Sequence, residues 1–158
     1  ALLRHWQPAR VAMYLAAGSE LNLAPESPGW AGTGEIWLPV LGTDRLRFAP
    51  AVPPWQLTRV GTREPVNGPY RDIQDMTVCV LPLLACDAQG TRLGQGGGWY
   101  DRTLAGAAPR PLCIGVGFRL QRVPTLPRQA HDIPVDIMLT AGQAEAFTEQ
   151  GQTWLSGC

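Results

Sequence analysis

The chain contains no lysine: all 13 of its cations are arginine. A biased genome composition accounts for that absence, but its consequence is chemical. Any phosphate held by this protein must be met by guanidinium groups, backbone N–H groups or a metal ion. The lysine-bearing Walker A pattern is excluded, and no strict G-x-G-x-x-G occurs either. Surplus charge is also missing. The 13 Asp and Glu residues balance the arginines to a formal net charge of zero. Bulk electrostatics therefore draws the protein neither to nucleic acid nor to a membrane surface. No apolar run reaches the ~20 residues that span a bilayer, and no secretory apolar segment is visible. Histidine is scarce. His5 and His131 lie far in sequence from Cys79, Cys86, Cys113 and Cys158, and no C-x-x-C pair occurs. A zinc site is not expected. Cys79, Cys86 and Cys113 sit in apolar runs and read as buried thiols in a reducing compartment, so the cytoplasm is the expected location.

What remains suits one domain. The 158 residues are enough to bury a core without metal or disulfide staples. Apolar runs at Val11–Ala16, Ile36–Leu41, Thr77–Cys86, Cys113–Phe118 and Asp136–Thr140 read as buried strands. Thr77–Cys86 shows no alternation, which predicts a strand covered on both faces, as in a parallel sheet. Leu46–Ala51 is expected to pair with Ile36–Leu41 as a hairpin, with Pro39 marking an edge or strand end. Helices are expected at Leu2–Ala9, from Gly98 to Leu104, and over Gly142–Leu155. Prolines and glycines between Leu21 and Thr33 make that stretch short or irregular. Prolines from Pro50 to Pro69 predict a long ordered loop. Strands with helical covers predict an α/β fold, one three-layer α/β/α domain over residues 1–158 with a mostly parallel central sheet.

The densest signal is "RLGQGGGWYDR", Arg92 to Arg102. Glycines at that density cost backbone entropy. A loop after the carboxyl end of a strand is where open α/β sheets take ligands. Consecutive bare amides form an anion-binding concavity. Arg92 and Arg102 add charge in bidentate geometry, and Asp101 is a hard oxygen ligand of the kind Mg²⁺ prefers. The residues alone leave phosphate binding and a plain tight turn about equal.

The loop resembles R-L-G-x-G-x-G-Y-Y-D-R of the 5-formyltetrahydrofolate cyclo-ligases, also called 5,10-methenyltetrahydrofolate synthetases. "VAMYLAAGSEL", "EIWLPVL", "GTREP", "VCVLPLLACDAQGTRLG" and "HDIPVDIMLT" resemble further segments of that family, in the family's order across nearly the whole chain. The resemblance implies a NagB/RpiA/CoA-transferase-like sheet. It also implies ATP- and Mg²⁺-dependent conversion of 5-formyltetrahydrofolate to 5,10-methenyltetrahydrofolate. In that reaction the formamide oxygen takes the γ-phosphoryl group, N10 closes the ring, and ADP and phosphate are released. A non-catalytic homologue binding folate or nucleotide is the alternative.

Carried over by position, Arg92, Leu93, Gly94, Gln95, Gly96, Gly97, Gly98, Trp99 and Tyr100 would wrap the ATP phosphates. Arg92, Tyr100 and Asp101 would form the catalytic set. Asp101 and Asp132 would hold Mg²⁺. Leu15 and Glu20 would meet the folate, with Gln95 and Trp99 facing its formyl end. Bland readings stand beside these: Glu20 as a turn residue, Asp132 as a turn cap, Trp99 and Tyr100 as core aromatics. Glu64 is expected to organise its loop, Asp136 to be structural, and His131 to be a neighbour of Asp132. Val60 stands where the family often stacks an aromatic on the pterin. The family's basic N-terminal helix has no counterpart here, so the chain is expected to be a fragment or to lack it. The protein is expected to act as a monomer, without nucleic acid or membrane.

Overall fold

The computed structural model describes residues 10–30, 32 and 34–157. The expected helix at Leu2–Ala9 lies outside them. One seven-stranded sheet organises the chain, in the order β11-β10-β9-β6-β1-β2-β3. Its parallel interior comprises β10 (Ile137–Thr140), β9 (Leu112–Val116), β6 (Val78–Pro82), β1 (Arg10–Ala12) and β2 (Glu35–Leu41). The edges are antiparallel: β3 (Leu46–Pro50) returns along β2, and β11 (Gln143–Ala146) along β10.

The two faces are read directly from strand alternation. Ala12, Trp37, Cys79, Leu81, Cys113 and Met138 fill one core cluster, with Leu104 of α1 (Trp99–Ala105). Val11, Leu38, Val78, Val80, Leu112, Ile114 and Ile137 fill the other, with Trp154 of α2 (Glu149–Ser156). The sheet is therefore covered on both faces by the chain's own residues, and three layers result. All five residues of β6 and all five of β9 are buried, which is why neither strand alternates in sequence. Burial pushes the Cys86 thiol up to about 11 and the Cys113 thiol up to about 12, with nearby arginines pulling the other way. Cys79 lies well above its ordinary value for the same reason. Cys79, Cys86 and Cys113 are free thiols.

Four local expectations need correction. Thr77–Cys86 is not one strand: β6 ends at Pro82, and Ala85–Cys86 pairs in a separate two-stranded sheet. Gly142–Leu155 is not one helix. Gln143–Ala146 forms edge strand β11, and the helix starts only after Thr148, whose hydroxyl caps it by accepting from Gly151 N–H at 3.1 Å. The Pro50–Pro69 region holds a hairpin, β4 (Trp55–Leu57) with β5 (Arg63–Pro65). Pro39 lies inside β2 rather than at its end. It opposes Phe48, whose N–H and C=O both bond to Arg71 instead. The N–H that proline lacks would point away from β3, towards β1. Met13 N–H donates to Trp37 O, so the next parallel rung would need an N–H at position 39, and the β1–β2 ladder ends there.

Chain order reverses at β1. From β1 the chain moves to β2 and β3 on one side, then crosses back to β6 on the other. In open α/β sheets such a reversal opens a crevice beyond the strands' carboxyl ends.

Candidate active site

Two segments meet at that reversal. Beyond β1, Met13 and Tyr14 remain buried and the chain turns at Ala17–Glu20. Beyond β6 it forms the small antiparallel pair β7 (Ala85–Cys86) and β8 (Arg92–Leu93), then the glycine loop, then α1. The turn joining β7 to β8 is built by Asp87, which is only 3 % exposed. Its carboxylate accepts from the N–H groups of Gln89, Thr91 and Leu126 at 2.9, 2.9 and 3.1 Å. Burial works to raise the Asp87 carboxyl, but these backbone donors outweigh it and hold it below its ordinary value. Gly90 completes the turn at φ +76°, where a Cβ would strike Val135 O at 2.8 Å.

The loop from Gly94 to Gly98 carries its backbone outward. Gly96 (φ +91°) and Gly98 (φ +64°) take left-handed conformations that L side chains resist. Among the described residues, the N–H groups of Gln95, Gly96, Gly97 and Gly98 donate to no protein acceptor. The amides are therefore free to meet an anion.

Arg92 lies beneath this loop rather than on it. Its Nη1 donates to Pro82 O at 3.3 Å and its Nη2 to Asp101 Oδ2 at 3.3 Å, and its Nε is buried without a partner. Its guanidinium carbon stands 5.7 Å from the centre of the Tyr100 ring. Tyr100 itself packs partly against the first core cluster. Burial pushes its hydroxyl well above the ordinary phenol value, helped by Cys79, Glu20 and Tyr14 and opposed by Arg92. Tyr100 is a proton-bearing donor at neutral pH, not a base. Arg102 is committed to structure: Nη1 donates to Gly97 O at 2.8 Å and Nε to Asp44 O at 2.9 Å.

Asp101 is tied to the backbone beside Asp132. Asp101 Oδ1 accepts from the N–H of Ile133 at 3.1 Å, one peptide unit from Asp132. Asp132 also caps its own turn, accepting from Gln129 N–H at 2.7 Å, and His131 Nε2 lies 3.7 Å from its Oδ1. Asp136 stands apart in the core, 0 % exposed. It is held by Cys113 N–H at 2.8 Å, by Arg110 Nη2 at 2.7 Å and by the Thr148 hydroxyl at 2.7 Å. Glu64 is buried and organises the β4–β5 hairpin, accepting from Leu41 N–H at 2.8 Å and from Gln56 Nε2 at 2.9 Å.

The first segment supplies Glu20. Glu20 Oε2 accepts from Ala17 N–H at 2.9 Å, and its Oε1 accepts from Gln95 Nε2 at 3.2 Å. That contact ties the two loops together across 75 residues of sequence. Leu15 is half-buried against the second core cluster, the face opposite the one Trp99 and Tyr100 pack on. Two neighbours went unnoticed in sequence. Tyr14 donates its hydroxyl to Leu21 O at 2.6 Å and so holds the chain next to Glu20; a lone hydroxyl in the apolar run Val11–Ala16 was the available signal. Arg59, at the tip of the β4–β5 hairpin, sits 5.5 Å from the Trp99 ring centre, and Arg102 sits 5.0 Å from it.

Fold and site together define an α/β protein with a mostly parallel sheet, in which a glycine loop and the Glu20 turn meet at the point where strand order reverses. Comparison with known proteins is specific. The profile of the 5-formyltetrahydrofolate cyclo-ligase family matches residues 2–141. The chain is 30 % identical over 149 residues to the 5-formyltetrahydrofolate cyclo-ligase of Haemophilus influenzae, covering 87 % of this chain and 79 % of that protein. It is 33 % identical over 141 residues to the Escherichia coli K12 enzyme of the same name, covering 82 % and 76 %. The NMR structure of Aquifex aeolicus 5,10-methenyltetrahydrofolate synthetase matches with a TM-score of 0.78 at 30 % identity, over 90 % of this chain and 74 % of that one. The chain belongs to the 5-formyltetrahydrofolate cyclo-ligase family.

Proposed function

We propose that this protein converts 5-formyltetrahydrofolate to 5,10-methenyltetrahydrofolate at the expense of ATP, releasing ADP and phosphate. The observation that carries the reading is the Glu20–Gln95 contact, which sets a folate-type carboxylate directly against the phosphate-type glycine loop. Amide oxygen leaves poorly as hydroxide. Transfer of the γ-phosphoryl group to the formyl oxygen makes it a good leaving group, N10 then attacks the formyl carbon, and phosphate departs. Such a reaction needs positioning and charge neutralisation more than a strong base.

The side chains and amides divide this work. Amides of residues 95–98 receive phosphate oxygens, with Leu93 and Gly94 carrying the approach to them. Arg92, nearly buried, keeps Asp101 and Tyr100 in place and brings a fixed positive charge under the loop. Tyr100, held protonated, donates to oxygen. Glu20 accepts from the pterin's N–H donors, Leu15 packs against its apolar edge, and Gln95 and Trp99 border the formyl group. The Mg²⁺ that the family resemblance implies would be held by the carboxylates Asp101 and Asp132. Among the described residues no cluster of three or more His, Cys, Asp or Glu forms a full protein cage, and Mg²⁺ on phosphates needs only one or two carboxylates. When bound, it neutralises phosphate charge.

Both sheet faces are covered from within the chain, which supports one domain, residues 1–158, acting as a monomer. Zero net charge supports small-molecule partners only, the folate and ATP. Among the described residues no helix is long and apolar enough to cross a membrane. Three free buried thiols support the cytoplasm as the compartment. The deciding experiment is absorbance of the methenyl product on mixing the protein with 5-formyltetrahydrofolate, ATP and Mg²⁺. A chromophore appearing only when all three are present is expected. A folded protein that binds both ligands and gives no chromophore would leave a non-catalytic binding protein.

A further inference from the structure

We propose that Arg59 is a catalytic residue of this site, its guanidinium taking up the charge of the phosphoryl group as that group passes from nucleotide to formyl oxygen. The inference rests on the functional reading above and adds to it the cation that the transfer step needs. The formyl oxygen bonds to the γ-phosphorus while the bond from that phosphorus to the β–γ bridging oxygen breaks, and the electron pair of the broken bond leaves with ADP. No proton moves in this step. Negative charge sits on the peripheral oxygens of the group in transit and builds on the bridging oxygen, so a cation held beside the loop lowers the barrier.

With no lysine in the chain, the fixed side-chain cation is an arginine. Two arginines at the loop are already committed. Arg92 is nearly buried beneath it and paired with Asp101, and Arg102 spends Nη1 on Gly97 O and Nε on Asp44 O. Arg59 is exposed, and among the described residues its guanidinium makes one hydrogen bond, from Nη2 to Gly42 O at 3.3 Å. Its place is fixed from two sides. The tip that carries it is a closed turn: Thr58 N–H donates to Thr62 O at 2.8 Å, Gly61 N–H donates to Thr58 O at 3.1 Å, and the two threonine hydroxyls meet at 2.9 Å. Glu64 anchors the same hairpin to the end of β2 through Leu41 N–H. On the other side, the guanidinium carbon lies over the Trp99 ring, 5.5 Å from its centre. The edge of that ring borders the loop, since a Cβ on Gly97 would stand 2.9 Å from Trp99 Cδ1. Guanidinium and open amides are thus set around one indole. A guanidinium stacked on an aromatic face keeps its in-plane N–H groups for an oxyanion. Val60, next along the tip, is the position at which the family resemblance puts the pterin. Arg59 therefore falls between the pterin side and the phosphate side, where the group in transit has to be.

The test is steady-state methenyl formation from 5-formyltetrahydrofolate, ATP and Mg²⁺ by the full chain as wild type, Arg59→Ala and Arg59→Lys, with a thermal melt of each. In Arg59→Ala, kcat is expected to fall about 100-fold while both KM values stay within about threefold, the pattern of a contact made in the transition state. Guanidinium ion, well below its denaturing range, is expected to restore part of the rate to Arg59→Ala and to add nothing to the wild type. Arg59→Lys, which keeps the charge but not the fork, is expected about tenfold below the wild type in kcat, and it carries the test if alanine loosens the hairpin. An Arg59 that only packs on Trp99 predicts a lowered melting temperature and a loss that guanidinium does not restore, and that result overturns the proposal. A raised KM for 5-formyltetrahydrofolate with kcat unchanged would assign Arg59 to the folate's carboxylates and overturns it too. An active wild type matched by Arg59→Ala overturns it while leaving the functional reading standing. A folded wild type that makes no methenyl product overturns both.

Discussion

Arg92 and Asp101 form a 3.3 Å ion pair across the base of the glycine loop, with the guanidinium 6 % and the carboxylate 19 % exposed. The pair is nearly dry on the arginine side, and Asp101 is held from both oxygens, by Arg92 Nη2 and by Ile133 N–H. Asp101→Asn keeps the shape but removes the charge, and it leaves one of the two donors, Arg92 Nη2 or Ile133 N–H, facing an NH₂ group. Turnover is expected to fall about 100-fold or more, in line with loss of one electrostatic stabiliser of a transition state. Stability is expected to fall by about 3 kcal/mol, because the nearly buried Arg92 loses its counter-charge. Methenyl absorbance and a urea melt on the same preparation separate the two effects. Unchanged turnover would remove Asp101 from the chemistry.

Asp136 predicts a loss of stability alone. It is fully buried, bonded to Arg110, Cys113 N–H and Thr148, and remote from the loop. Asp136→Ala strands Arg110 and a buried amide, so about 3 kcal/mol of stability should be lost. Residual folded enzyme should keep its KM values. Denaturant unfolding checks the first statement, and steady-state kinetics at low temperature the second.

The pH dependence of stability has two limbs with opposite signs. Asp87 has a lowered folded pKa. Its contribution is present above the unfolded value of about 3.9 and is lost as pH falls through the folded value. Asp87→Asn should therefore flatten the stability curve on the acid side, below about pH 4. Cys86 and Cys113 are raised to about 11 and about 12. Their contribution is complete below the unfolded thiol value of about 8.5 and declines as pH rises towards the folded values. Chemical denaturation from pH 2 to 11 measures both limbs, and a thiol reagent should find Cys79, Cys86 and Cys113 unreactive at pH 8 until the chain unfolds. Reaction in the native state would contradict the burial.

Val60 stands 55 % exposed on the β4–β5 hairpin, beside Arg59, which reaches Trp99. An aromatic at this tip would add stacking worth about 1 kcal/mol. Val60→Phe should lower the KM for 5-formyltetrahydrofolate about fivefold with the KM for ATP unchanged. An equal change in both would mean that the tip faces the nucleotide instead.

Much of this protein was legible in its sequence, because local rules and tertiary demands agree there. The buried strands, the β2–β3 hairpin, the three buried thiols, the structural parts of Glu64 and Asp136 and the glycine loop all follow from apolar runs, turn chemistry and residue type. The misreadings have physical causes. Gln143–Ala146 has helical composition but lies where β10 offers an open edge, and pairing with that edge outweighs a weak propensity. Pro39 sits inside a strand because its N faces the point where the β1–β2 ladder ends, which no sequence pattern records. The site divides along the same line. Sequence alone determined which residue types are available: arginines in place of lysines, bare amides at 94 and 96–98, and carboxylates at 20, 101 and 132. Only the tertiary structure decided that Arg92 lies under the loop and that Glu20 meets Gln95. Those contacts join segments far apart in the chain, and they exist because winding of the sheet reverses at β1 and sets the ends of β1 and β6 side by side.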